Sequence, residues 1–414
     1  MRIFKFGGAS VKDADSVKNV AHVLQQEGTK NTLVVISAMG KMTNAFENIA
    51  NSFYHKEVVL KENLDFVIEF HKAIINDLFE EKHQINNEIA LLFVELSGFM
   101  ATNKNSNYNF VYDQIVSFGE LLSTKIVSAY LTEINLLNNW IDVRDLIKTD
   151  ATYRDAKVNW ELTEENIQHK IKANTLYITQ GFLGGNSNNT TTLGREGSDY
   201  TAGIFAYCLN AESVTIWKDV DGVLNADPRV FKETQLLNQI SYTEAIEMAF
   251  YGASVIHPKT LQPLEKKEIP LYVRSFINLK NKGTKVSKGV NLMPLTPCFV
   301  VKNDQILVSI SANDFSFMVE NNISYIFKKL HEHRLKVNLI QNSAISFSVC
   351  IEDKFSNFDS FYNELKNAFK ITFHSEVTLY TIRHFNEKSV KNIEKNGKVL
   401  LKQINKETTQ VVIK

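Results

Sequence analysis

The most informative part of the chain is residues 2–37, with the sequence RIFKFGGASVKDADSVKNVAHVLQQEGTKNTLVVIS. A short apolar run ends at Gly7 and Gly8, and apolar side chains then recur at the spacing of one helical face as far as Gly28, a typical helix cap. Residues 32–37 are rich in β-branched side chains, as is usual for a strand buried on both faces. Two strands joined by a helix of this length predict a right-handed parallel βαβ unit.

The alternation of strands and helices continues through the first 290 residues, which predicts an α/β domain with a mostly parallel sheet. Helical spacing dominates residues 45–100, and another long helix is expected around residues 121–131. Further strands are expected at residues 140–143, 176–179, 214–217 and 270–276. Six of the 17 glycines lie between Gly181 and Gly203, so this segment has the most unusual composition in the chain.

We place a domain boundary at residues 280–297, where Asn, Lys, Gly and Pro gather. Residues 306–382 then show the order strand, helix, strand, strand, helix, strand, with the second helix expected at residues 358–369. This order is typical of a ferredoxin-like α+β sandwich. The last thirty residues predict one more helix, at residues 387–395, and two short strands, which together resemble a shortened second copy.

Composition limits the classes of protein to which the chain can belong. Its 414 residues are enough for two or three domains of about 100–200 residues, and its 46 basic residues balance its 46 acidic ones. That balance argues against a basic surface for nucleic acid. Three widely separated cysteines exclude a disulfide framework and a cysteine zinc site. Because there is no apolar run of about 18 residues and no signal-peptide pattern, we expect a soluble cytoplasmic protein without a membrane or nucleic-acid partner.

The Gly7-Gly8 turn is a candidate phosphate site. Backbone N–H groups and a helix dipole favour an anion where a strand ends at glycines and a helix begins. Lys5 could add positive charge to a phosphoryl group in transfer. Taken alone, a tight turn beside a solvated lysine explains the same residues, and neither a P-loop run GxxxxGK[ST] nor a GxGxxG fingerprint is present at the first strand.

The run TTTLGREGSD at residues 190–199 is more specific. Its glycines and small hydroxyl residues let the backbone approach a ligand closely, and Arg195 offers a fork for a carboxylate or a phosphate. We expect Ser198 to cap a helix that starts at Asp199. The alternative is a flexible loop before an ordinary helix, which the position at the end of a parallel strand makes less convincing.

Acidic side chains in two other places suit a charged ligand. Asp219, Asp221 and Asp227 follow a predicted buried strand, where they fit a hydrated magnesium ion or a ribose hydroxyl, although a solvated acidic turn is an equal alternative. Glu120 stands at the head of an apolar helix. There it either complements the helix dipole or grips an ammonium group.

Together these segments resemble aspartate kinases. The run KFGGAS at residues 5–10 is close to the KFGGTS signature of that family, with Ala9 in place of the usual Thr. Other similar segments follow in the family's order: VIS at 35–37, TN at 43–44, SFGE at 117–120, DVR at 142–144, QGF at 180–182, residues 190–199, IWKDVDG at 216–222 and DPR at 227–229. The resemblance implies a catalytic domain of the amino-acid kinase fold at residues 1–290. It also implies an ACT-type regulatory region at residues 300–414, whose second unit is shortened.

The resemblance further implies transfer of the γ-phosphoryl group of ATP, with Mg²⁺, to the side-chain carboxylate of L-aspartate. The product would be 4-phospho-L-aspartate, on the first step toward lysine, threonine and methionine. Because an attacking carboxylate needs no general base, catalysis should consist of positioning and charge neutralisation. ACT-type sheets usually pair side by side, so a homodimer formed through that region is expected.

Each matching residue receives an expected role from the same resemblance. Lys5 would neutralise charge on the transferring group, and Asp199 would organise the reacting groups. The expected phosphate and nucleotide positions are Gly7, Gly8, Lys218, Asp219, Leu224, Arg229 and Ser254. The expected substrate positions are Ser37, Thr43, Phe182 and Ser198 along the pocket, Glu120 at the α-ammonium group and Arg195 at the α-carboxylate.

The chain departs from the family's pattern in three places. Ser254 replaces a lysine that reaches the nucleotide, so we expect either weaker nucleotide binding or a substitute cation, for which Lys218 is the candidate. Leu224 replaces a frequent aromatic residue, which removes a stacking partner for adenine. In the regulatory region, residues 311–322 lack the usual glycine, and residues 338–343 (NLIQNS) lack the usual Asp. Feedback by lysine or threonine is therefore expected to be weak or absent, leaving the region mainly as a dimer interface.

Two other functions stay open on the sequence alone. One is a kinase of the same fold that acts on glutamate, N-acetylglutamate, carbamate or UMP, against which the KFGGAS run and the ACT-like tail argue. The other is a catalytically degenerate amino-acid sensor, which only Ser254 and Leu224 support. A substrate panel separates the first from an aspartate kinase, and ATP binding without turnover identifies the second.

Overall fold

The computed structural model describes residues 1–253, 256–314 and 316–414, and the chain divides into two compact units. The first unit consists of Met1–Val223, Leu236–Ile246 and Val255–Leu292, and the second of Leu224–Gln235, Glu247–Ser254 and Met293–Lys414. Across the described ranges, no helix combines the length and the apolar character that crossing a bilayer requires.

Helices and strands alternate along most of the chain. The helices of the described residues are α1 (Ala14–Glu27), α2 (Met42–Tyr54), α3 (Leu60–Leu78), α4 (Ile85–Thr102), α5 (Tyr108–Val116), α6 (Phe118–Glu133), α7 (Val143–Leu146), α8 (Trp160–Lys170), α9 (Gly197–Cys208), α10 (Tyr242–Tyr251), α11 (Pro258–Lys266), α12 (Glu320–Glu332), α13 (Phe358–Leu365) and α14 (Glu387–Glu394). The strands are β1 (Arg2–Phe6), β2 (Thr32–Ile36), β3 (Asn139–Ile141), β4 (Leu176–Gln180), β5 (Leu183–Asn186), β6 (Asn189–Thr192), β7 (Ser213–Lys218), β8 (Gln239–Ser241), β9 (Leu271–Ser275), β10 (Thr284–Ser287), β11 (Cys298–Ala312), β12 (Lys336–Asn342), β13 (Ser346–Glu352), β14 (Phe369–Arg383), β15 (Val399–Ile404) and β16 (Thr408–Ile413).

The first unit is built on an eight-stranded sheet with the order β3-β4-β2-β1-β7-β9-β10-β8. All neighbouring strands of this sheet pair in parallel except β9 and β10, which are antiparallel. The predicted parallel pairing of β1 with β2 is confirmed, and all five residues of β2 are buried, as its composition indicated. Phe6, Ile36, Gln180 and Trp217 lie level with one another across β1, β2, β4 and β7. The residues that follow them therefore emerge together at the carboxyl edge of the sheet, where α/β proteins bind their ligands.

The helix after the Gly7-Gly8 turn starts later than the sequence indicated. A 3₁₀ turn, Gly8–Val11, follows β1, and α1 begins at Ala14 because the Asp13 carboxylate accepts a hydrogen bond from the N–H of Ser16. The dipole of α1 thus begins at Asp13 rather than at the glycines. Gly8 packs closely instead, since a β-carbon there would lie 2.5 Å from the carbonyl oxygen of Gly40.

Two other predicted boundaries are wrong for local reasons. The strand expected at residues 140–143 ends at Ile141, because the Asp142 side chain accepts the N–H of Arg144 and caps α7. The helix expected at residues 358–369 ends at Leu365, and Phe369 already belongs to β14, where its buried ring joins the apolar core beneath the helices. Hydrophobic spacing alone could not separate the end of this helix from the start of the strand.

The second unit contains a six-stranded antiparallel sheet with the order β12-β13-β11-β14-β16-β15. The predicted ferredoxin-like order is confirmed by β11, α12, β12, β13, α13 and β14 in succession, and α14, β15 and β16 complete the chain. Strands β11 and β14 each span 15 residues and pair along most of that length. The main core includes Val308, Ile326, Phe347 and Phe361, which are all fully buried.

Candidate active site

A cavity of about 520 Å³ lies in the first unit at the carboxyl edge of the parallel sheet. Nine of the sequence-predicted residues line it: Lys5, Ser37, Thr43, Glu120, Phe182, Arg195, Ser198, Asp199 and Lys218. The other residues that line it are Asn44, Glu47, Tyr112, Arg154, Gly194, Glu196 and Gly197. Residues far apart in sequence thus line one polar cavity, in which cationic and acidic side chains lie next to one another.

An ion pair links the central strand to the head of α9. Lys5 Nζ lies 2.6 Å from Asp199 Oδ1, and both side chains are almost fully buried. The contact is electrostatic, because Asp199 Oδ1 accepts no well-aligned hydrogen bond from the described residues. Asp199 also lies in the first turn of α9, where the helix dipole favours a negative charge. The pair therefore places a positive and a negative charge side by side at the wall of the cavity.

The head of α9 reaches the cavity through close backbone packing. The predicted cap at Ser198 is wrong: α9 begins at Gly197, and the preceding residue, Glu196, adopts a left-handed φ of 52° and gives no side-chain cap. Ser198 is therefore inside the helix, and its hydroxyl is available to the cavity that it lines. Gly181 makes this approach possible, because a β-carbon there would lie 2.4 Å from the β-carbon of Ser198.

Glu120 is a buried acid on the wall of the cavity. It lies in the first turn of α6, is 2% exposed, and accepts the N–H of Ala38 at Oε1 over 3.3 Å. Its Oε2 is buried with no hydrogen-bond partner among the described residues. Burial raises the pKa of Glu120 to about 8, and the hydrogen bond from Ala38 offsets only part of this rise. The carboxyl group is therefore arranged to receive a cationic partner that the described part of the chain does not supply.

A second buried acid, Asp113 of α5, does not itself line the cavity but anchors the backbone of Arg154, which does. It accepts hydrogen bonds from the N–H and hydroxyl of Thr192, both at 2.8 Å, and from the N–H of Arg154, at 3.1 Å to each oxygen. Burial raises the pKa of Asp113 to about 6 against these hydrogen bonds. The arrangement ties α5, the β5–β6 hairpin and the loop of Arg154 together.

The remaining predicted residues lie elsewhere. Gly7, Gly8 and Asp219 do not line the cavity, although a β-carbon on Gly7 would come within 3.3 Å of Lys5 Nζ. Leu224 and Arg229 belong to the second unit. The Arg229 guanidinium is exposed and lies 2.7 Å from Asp227, and its hydrogen bond lowers the pKa of that carboxyl group. Ser254 lies outside the described residues.

No three or more His, Cys, Asp and Glu side chains come together as a metal site within the described parts of the chain. Asp219, Asp221 and Asp227 thus form no magnesium cluster of their own. Mg²⁺ usually takes one or two carboxylates and completes its shell with substrate phosphates and water. Asp199 is a carboxylate that faces the cavity beside Lys5, and its chemistry fits an ion that arrives with a nucleotide.

Several residues of the cavity escaped sequence reasoning. Glu47 follows Thr43 by one helical turn on α2, and that spacing was a usable signal. Glu196 lies within the run at residues 190–199 that the sequence had already singled out, whereas Tyr112 and Arg154 had no signal. They reach the cavity because helices and loops pack against the sheet edge, which is a tertiary property.

Three comparisons with known proteins bear on this cavity. The sequence profile of the amino acid kinase family matches residues 1–275. Lysine-sensitive aspartokinase 3 of Escherichia coli (strain K12) is 32% identical over 359 residues, which cover 84% of this chain and 78% of that relative. The chloroplastic bifunctional aspartokinase/homoserine dehydrogenase 1 of Arabidopsis thaliana is 29% identical over 365 residues, but the chain spans only 40% of its length.

The structure is also similar to two crystal structures of E. coli aspartokinase III. One is a complex with lysine and aspartate in the T-state, with a TM-score of 0.83 and 27% identity. The other is a complex with aspartate and ADP in the R-state, with a TM-score of 0.80 and 26% identity. Each match covers 100% of this chain and 96% of the other, so the antiparallel sheet is included.

Proposed function

The chain belongs to the amino acid kinase family, as an aspartate kinase, and on this premise we propose that its cavity is where the γ-phosphoryl group of ATP passes to the side-chain carboxylate of L-aspartate. The observation that supports this placement is that one cavity contains both the ion pair of Lys5 with Asp199 and a buried acid, Glu120, whose Oε2 has no hydrogen-bond partner among the described residues. The first pair suits a phosphoryl group, and the buried acid suits an amino group.

At the aspartate end, each substrate charge has a partner of opposite sign. Glu120 receives the α-ammonium group, which lowers the pKa of the acid again and restores its negative charge. Arg195, which pairs with no carboxylate among the described residues, receives the α-carboxylate. Ser37, Thr43, Phe182 and Ser198 line the space between these charges and the reacting carboxylate.

At the phosphate end, the reaction needs charge neutralisation more than proton transfer. An oxygen of the substrate side chain forms a bond to the γ-phosphorus while the bond to the bridging β,γ-oxygen breaks and ADP leaves. Lys5 neutralises charge on the transferring group, and Asp199 keeps Lys5 in place. Gly7, Gly8, Lys218 and Asp219, which all belong to the first unit, are the nucleotide positions that we assign to this end.

Magnesium enters this scheme as a companion of ATP. When bound, Mg²⁺ supplies positive charge to the phosphate oxygens. Asp199 is the residue of this chain that would hold it.

The two parts of the chain receive separate roles in the proposal. Residues 1–290 form the catalytic domain, and residues 300–414 form an ACT-type regulatory region whose second unit is shortened. Side-by-side pairing of the antiparallel sheets of two copies gives a homodimer through this region. Light scattering of the full chain and of a chain that ends at residue 297 tests this assembly, because only the full chain should be dimeric.

A hydroxamate assay tests the reaction. The purified chain with MgATP and L-aspartate should form aspartyl phosphate, which hydroxylamine traps as the hydroxamate, whereas glutamate should give little product. A Lys5→Ala variant should lose this product, and a Lys18→Ala variant, which changes an exposed lysine of α1, should keep it. A folded wild-type chain that binds ATP and yields no hydroxamate would overturn the placement of the reaction.

A further inference from the structure

Arg154 enters the cavity from a backbone conformation that arginine seldom adopts. Its φ angle is +68°, in the left-handed region that favours glycine, so its side chain is present at a cost in free energy. Such a residue persists only where the surrounding structure holds it firmly. At a cavity wall, that combination indicates a function for the side chain.

The surrounding structure does hold the Arg154 backbone firmly. Its N–H donates to both carboxylate oxygens of Asp113, which is fully buried and is fixed in turn by Thr192. A buried carboxylate is a costly anchor for a single loop residue. The position of Arg154 is thus determined by the core of the unit, although its side chain is partly exposed.

The Arg154 side chain is stacked yet free to bind. The guanidinium lies 4.2 Å from the ring centroid of Tyr112, and a hydrogen bond with the Tyr112 side chain engages part of it, which leaves its other nitrogens available. One of these nitrogens is 3.7 Å from Glu47 Oε1, a distance too long for a hydrogen bond, and both side chains are about 40% exposed. Ion pairs of this kind are weak and exchange easily for a better partner.

The neighbours of Arg154 place it at the aspartate end of the cavity. It contacts Tyr112 of α5 and Glu47 of α2, the helix that also contributes Thr43 and Asn44 to the wall. The proposed phosphate end is formed instead by the carboxyl edges of β1 and β7. The anion that Arg154 is placed to bind is therefore the α-carboxylate of aspartate rather than a phosphate of ATP.

We infer that Arg154 is a second arginine for the α-carboxylate of the substrate, which it shares with Arg195, and that Glu47 holds it in place until aspartate arrives. This inference rests on the proposed function. It makes Arg154 a determinant of specificity, because a substrate without a free α-carboxylate loses its contacts with both arginines.

Substitution of Arg154 tests the inference with steady-state kinetics. Arg154→Gly should raise KM for aspartate about 10- to 100-fold, the loss expected for a hydrogen bond between charged groups, while KM for ATP changes little. Arg154→Lys should recover part of the loss. Glu47→Gln should lower KM for aspartate about two- to fivefold, because the weak competing pair is removed. Arg334→Gly is the matched control, since Arg334 also has a positive φ (55°) but lies in the second unit.

A substrate analogue identifies the group that Arg154 contacts. L-aspartic acid α-amide keeps the reacting carboxylate and the ammonium group but lacks the α-carboxylate charge. Replacing aspartate with this amide should lower kcat/KM by a much larger factor in the wild-type enzyme than in Arg154→Gly. Equal costs in the two enzymes, or an unchanged KM in Arg154→Gly, would overturn the inference, and an unchanged melting temperature in Arg154→Gly excludes a merely structural loss. Failure of the proposed function differs plainly, since the wild-type chain would then form no aspartyl hydroxamate.

Discussion

Replacing Glu120 with glutamine should change the stability of the protein in a strongly pH-dependent way. Glu120 is 2% exposed, and burial raises its pKa from 4.5 to about 8. The unfolded chain releases this proton near pH 4.5, whereas the folded protein holds it until about pH 8. Between these values the folded state carries the extra proton, so the contribution of Glu120 to the free energy of unfolding falls as the pH rises.

The size of the effect follows from the same two pKa values. One pKa unit is worth about 1.4 kcal/mol, so the rise to about 8 sets an upper bound of about 5 kcal/mol on the loss between pH 4.5 and pH 8. Glutamine has the same shape, keeps an oxygen for the N–H of Ala38 and never ionises. We expect Glu120→Gln to match the wild type at pH 5 and to exceed its stability by at least about 2 kcal/mol at pH 8.5.

Urea unfolding between pH 5 and pH 8.5 measures this difference. Saturating aspartate should reduce this stability difference, because the substrate ammonium group gives the ionised Glu120 a partner. Calorimetry at pH 7 should show that aspartate binding releases a proton. Glu62→Gln is the control, since Glu62 also lies in the first turn of its helix, α3, but is exposed. A stability difference that stays constant across this pH range would refute both the burial argument and the assignment of Glu120 to the ammonium group.

Two further predictions concern packing and regulation. Gly181→Ala should lower kcat/KM by about 100-fold, because its β-carbon would lie 2.4 Å from that of Ser198 and displace the head of α9. Gly98→Ala, at a site with nothing within 4 Å, should leave activity intact. Circular dichroism verifies that both variants fold. Millimolar lysine or threonine should leave activity and melting temperature unchanged. Asn338 carries no charge for an amino acid, and its side chain is already hydrogen-bonded to Lys302 and Gln305, each at 2.7 Å. A clear shift of activity or melting temperature contradicts this prediction.

Elements whose signals are local could be predicted from the amino-acid sequence alone. The β-branched run of β2, the helical spacing of α1 and its Gly28 cap predicted the parallel βαβ unit, because backbone preference and side-chain periodicity operate within a few residues. The KFGGAS run and the segments after it indicated the family for the same reason, since a motif keeps its residues together in the chain. Boundaries failed where a neighbouring side chain competed, as with the Asp142 cap that ends β3 early.

The construction of the cavity, in contrast, depends on how distant elements pack together. Lys5, Glu120 and Asp199 lie on three different elements, and they meet because the strands are level at one edge of the sheet. Arg154 and Glu47 join them from a loop and a helix, and no pattern in the sequence indicates that encounter. The physical reason is that the charge, burial and pKa of a side chain depend on which elements pack around it, and packing is set by the whole core rather than by nearby residues.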